Sequence, residues 1–81
     1  MGMLRVISKH GDDRLQWNAQ VAQAGDALAI AAIREAERIF TQERARGAFA
    51  FSAVAGKPAE CIEQFDRTAE QIVLMPRVVG G

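Results

Sequence analysis

The chain has 81 residues, 49% hydrophobic and 25% charged, the make-up of one folded domain with a single small core rather than of a disordered tract. Ten basic residues balance ten acidic ones without a Lys/Arg-rich run, which argues against a nucleic-acid or anionic-membrane binder; no stretch approaches the about 18 apolar residues of a membrane span. Cys61 is the only cysteine and His10 the only histidine, so an intramolecular disulfide is excluded and neither a paired-His zinc site nor a Cys–His dyad is encoded in the pattern. The reducing cytoplasm is the compartment that fits a lone cysteine.

Residues 3–10 carry Leu4, Val6 and Ile7 and run into "HGDD", whose Gly-Asp content predicts a turn. Met1-Gly2 admits a reading as a cloning remnant before Met3. After the turn "RLQWN" alternates, with Leu15 and Trp17 on one face and Arg14, Gln16 and Asn18 on the other, so the two segments form a hairpin. Asp12-Asp13 falls in the predicted turn and is not read as a catalytic carboxylate pair. Trp17, alternating with Leu15, is assigned to the core or its margin rather than to an exposed docking site.

The alternation lapses from Asn18 to Gly25, although "NAQVAQA" could add helical turns there. "DALAIAAIREAERIFTQERARG" then reads as a helix capped by Asp26 and ended by Gly47. At about 100° per residue, Leu28, Ala29, Ala32, Ile33, Ala36, Ile39 and Phe40 share the side expected to face a sheet. Arg34, Glu35, Arg38 and Gln42 lie opposite, and Arg34, Arg38, Arg44 and Arg46 are interleaved with Glu35, Glu37 and Glu43, which predicts a solvated mixed-charge face.

"AFAFSAV" predicts a third strand with Phe49, Phe51 and Ala53 on one face, packed against the helix. "ECIEQF" is a shorter, weaker strand containing Cys61, which is read as an incidental or packing thiol, and "DRTAE" is a turn or a single helical turn. "QIVLM" is a continuous apolar run, suited to a strand covered on both sides or central in a sheet, and Pro76 ends its ladder. The expected fold is α+β: a four- to five-stranded sheet with one main helix on one face, the sheet being mixed if the last strand runs parallel to the first. Residues 1–75 form the domain and residues 76–81 an extended flexible tail.

That tail raises the functional question, because a glycine pair usually joins two elements and here nothing follows it in the sequence. A ββαβ(β)β order ending in "IVLMPRVVGG" resembles the β-grasp sulfur carriers and ubiquitin-like modifiers. The likeness is to the small subunit of molybdopterin synthase and to thiamin-type sulfur carriers. It is architectural over most of the chain and motif-level from Glu70 to Gly81. The resemblance implies that this α+β arrangement is a β-grasp fold and that the chain is no enzyme and binds no cofactor. An E1-like adenylating enzyme uses ATP to activate the Gly81 carboxylate, and a downstream acceptor protein receives sulfur or the carrier itself. Gly80 supplies a thin, flexible approach, while Pro76, Arg77, Val78 and Val79 position the tail. Arg77 and Val79 depart from the molybdopterin-type tail, which leaves the partner open. The alternative expectation is a non-covalent binding module or structural subunit that uses its sheet face or an edge strand.

Overall fold

The structure, a computed structural model, describes residues 1–8 and 11–76. β1 (Gly2–Ser8) and β2 (Gly11–Trp17) form an antiparallel hairpin in the register Leu4↔Leu15 and Gly2↔Trp17. A short α1 (Ala19–Gln23) and the long α2 (Ala27–Ala45) follow, then β3 (Phe49–Ala53), β4 (Glu60–Cys61) and β5 (Gln71–Met75). The sheet order is β2-β1-β5-β3-β4, with β1 and β5 parallel and the other pairs antiparallel. The last strand is therefore central, as its apolar run predicts.

Each helix begins where a side chain can satisfy free backbone N–H groups. The Asn18 carboxamide oxygen accepts from Gln20 and Val21 at 3.1 and 3.2 Å, and the Asp26 carboxylate accepts from Ala29 at 2.9 Å. α2 stops at Arg46, and Gly47, at φ +94°, takes the left-handed turn that other residues resist. α1 fills the interval where strand alternation lapses.

Ile33, Ala36 and Phe40 of α2 pack on Leu4, Ala50, Ile72 and Leu74 of the sheet, all at most 4% exposed. Ala36 and Ala50 are both fully buried. Two small side chains in the helix–sheet layer leave room for the larger ones around them. Leu28, expected on this face, is instead 82% exposed, because it lies in the first turn of α2 and contributes nothing to the buried cluster. Ile30 packs against the cluster in its place.

The other end of the core is aromatic. The Trp17 ring lies 5.4 Å from that of Phe65, and Phe65 lies 5.9 Å from Phe40, nearly edge-on. Trp17 Nε1–H donates to the Arg67 carbonyl at 2.9 Å, which ties the hairpin to the segment leading into β5. Gly2 belongs to β1 and is buried beneath this ring: an added Cβ would stand 2.2 Å from Trp17 Cε2, so the close approach requires glycine.

Asp12 and Asp13 lie within β2 opposite Ile7 and Val6, so the turn expected at "HGDD" does not include them; residues 9 and 10 lie outside the described residues. Register explains the difference: closing the ladder from Gly2↔Trp17 to Ser8↔Gly11 extends both strands through residues whose composition favours turns. Strand alternation then directs the two aspartates to opposite faces.

Candidate functional site: the root of the tail and the open face of the sheet

β5 delivers the chain to Met75 and then to the exposed Pro76, in the middle of the sheet rather than at its edge. Proline cannot donate to the ladder and biases the residue before it toward extended geometry, so pairing ends where the tail begins. Arg77, Val78, Val79, Gly80 and Gly81, the tail residues singled out from the sequence, lie outside the described residues, as does His10.

What surrounds the root follows from register. Cross-strand partners share a face, so Phe49↔Met75, Phe51↔Val73 and Phe51↔Cys61 place these side chains on the side of the sheet away from α2. Phe49 and Phe51 therefore do not pack against the helix as expected; Ala50 does, fully buried, and the phenylalanines take the opposite face. Phe49 is 48% and Met75 45% exposed, while Phe51 and Val73 are half-buried. Pro76 thus follows β5 beside an open apolar patch.

Across β1 the same face becomes charged. Arg5, the neighbour of Val73, donates from Nε to Asp12 Oδ2 at 3.1 Å and from Nη2 to the same oxygen, and Arg14 approaches it from the other side at 3.3 Å. The hydrogen bonds from Arg5, followed by its charge and the contribution of Arg14, hold the Asp12 carboxyl below its ordinary value of 3.8. A carboxyl lowered in the folded state adds stability above its unfolded value, and that stability fades as pH falls through the folded value. Thermal unfolding followed from pH 6 down to about 2 should therefore show a loss beginning below pH 4, part of which disappears in Asp12→Asn. The pair is partly open to solvent, so the contribution is small.

Among the described residues, no group of three or more His, Cys, Asp or Glu could hold a metal ion, and no helix is long and apolar enough to cross a membrane. Cys61 is exposed, which removes the packing alternative and leaves the reading of an incidental thiol. Sequence patterning alone shows that Phe49 and Phe51 share a face; only the pairing with β5 shows which one. Comparison with known proteins returns no matching family model, curated protein or solved structure.

Proposed function

We propose that the chain is a β-grasp, ubiquitin-like carrier or modifier whose reactive group is the carboxylate of Gly81. The observation that carries this reading is the position of Pro76: a central strand ends there, next to exposed Phe49 and Met75, so the segment after it starts from a surface on which a partner can dock. The mixed β2-β1-β5-β3-β4 sheet with α2 across one face supports the β-grasp assignment.

In this reading the chain has no catalytic residues of its own. An E1-like adenylating enzyme binds ATP and positions the Gly81 carboxylate, whose oxygen attacks the α-phosphorus, forming the acyl-adenylate and releasing pyrophosphate. A sulfur or amine nucleophile then attacks the acyl carbon, and AMP leaves. Gly80 and Gly81 lack side chains that would obstruct a narrow approach to the enzyme, and Pro76, Arg77, Val78 and Val79 are assigned to positioning the tail. The setting is cytoplasmic, with an acceptor protein downstream and neither nucleic acid nor membrane as partner.

The test is intact-mass measurement of the chain ending at Gly81 after incubation with ATP and the E1-like enzymes of the organism that makes it. The expected result is a mass gain of one adenylyl group (AMP less water), converted by sulfide or an amine to a thiocarboxylate or conjugate. Deleting Gly81 should abolish the adduct and leave the unfolding midpoint unchanged, since a terminal residue contributes little packing. Equal adenylation of the shortened chain would sink the proposal. The open apolar face also favours a second reading, a non-covalent binding module, which predicts no adduct with any such enzyme and a partner lost on substitution of Phe49.

A further inference from the structure

The helix side of the molecule carries a feature unrelated to the tail. A groove of about 840 Å³ runs along the flank of α2, lined also by Ala22 of α1 and by Arg67 from the connection between β4 and β5. Its volume falls within the range of small-molecule sites, roughly 300–1,000 Å³. Ala22, Ile30 and Ile33 give it an apolar end, and Thr41 and Gln42 a polar one.

The charges along the groove are unequal. Three arginines, Arg34, Arg38 and Arg67, face one carboxylate, Glu37. Arg38 is already engaged, donating to both oxygens of Glu35 and to Gln42 Oε1 at 3.0 Å. Arg34 and Arg67 form no ion pair or side-chain hydrogen bond among the described residues. Two uncommitted guanidinium groups against one carboxylate leave an excess of one positive charge beside an apolar floor.

We propose that this groove binds an amphipathic monoanion, an organic carboxylate whose apolar body rests on Ala22, Ile30 and Ile33 while Arg34 and Arg67 take its charged end. Guanidinium groups suit this role because their planar N–H forks match a carboxylate. A neutral ligand of the same length leaves both arginines unanswered, and a dianion over-compensates the excess. Because α2 covers the sheet face opposite Phe49 and Met75, a ligand here does not compete with a partner at the tail.

The probe is decanoate below its micelle concentration, titrated into the full chain while backbone amide shifts are followed by NMR, with decanol as the neutral control. Saturable shifts confined to α1, the α2 flank and the Arg67 segment are expected, with decanol at least about tenfold weaker. The double variant Arg34→Gln, Arg67→Gln removes only exposed side-chain charge, so the Arg67 carbonyl still accepts from Trp17. It should lose affinity for decanoate at least about tenfold with an unchanged unfolding midpoint. No saturable shift, equal binding of decanol, or undiminished binding by the double variant would each overturn the assignment.

Discussion

Trp17→Ala lowers the stability of the chain by about 3–5 kcal/mol, the range for removing a large buried aromatic side chain. A domain of this length has on the order of 4–12 kcal/mol in total, at roughly 0.05–0.15 kcal/mol per residue, so one substitution consumes a large share. The size follows from what Trp17 touches. It is 2% exposed, tilted against Phe65, in contact with the backbone of Gly2, and hydrogen-bonded to the Arg67 carbonyl. Truncation leaves a cavity that Gly2 has no side chain to fill, and it frees the segment before β5 from the hairpin. Thermal unfolding should fall by more than about 12 °C, from roughly 4 °C per kcal/mol at this size. A fall of only a few degrees would mean that Phe65 and Phe40 close over the gap and that the aromatic end is not a cornerstone of the fold. Leu28→Ala, at an 82% exposed position, supplies the contrast and should change the midpoint little.

These two residues also mark how far sequence alone reaches. The long helix was legible because three local signals agree: Asp26 before it, a broad apolar side along it, and Gly47 after it. β5 was legible because five residues without turn formers end at a proline. Trp17 was legible through its alternation with Leu15. Leu28 was not, since helical periodicity assigns an angle around the axis but not how far along that axis the sheet extends. Phe49 and Phe51 show the same limit for a strand. Period two groups them, yet two phenylalanines on a face invite assignment to the core, and the deciding fact lies in a different strand: Ala50 pairs with Leu74 under α2. Ala50 shares the inner face with the fully buried Ala36, and alternation along β3 then places both phenylalanines outward. The groove beside α2 is less legible still, because Ala22, Ile30 and Arg67 come from three separate segments.

The outward phenylalanine gives the second large effect. If an adenylating enzyme grips the domain at the root of the tail, Phe49 and Met75 are the side chains best placed to be buried in the complex, being adjacent on paired strands and each nearly half exposed in the free chain. Buried aromatic anchors at the centre of an interface cost about 2 kcal/mol or more when truncated. Phe49→Ser combined with Met75→Ser should therefore reduce kcat/KM for adenylation roughly thirtyfold or more, at about 1.4 kcal/mol per factor of ten. The loss should appear in KM with kcat nearly unchanged, because docking contacts that do not touch the reacting group contribute equally to ground-state and transition-state binding. Stability should change little, since neither side chain belongs to the buried core. A drop in kcat alone would place the substituted residues in the chemistry of the tail rather than in docking. Unaltered adenylation would assign the open face to another partner. Loss of a non-covalent partner, in a chain that no E1-like enzyme adenylates, would transfer the whole face to the binding-module reading.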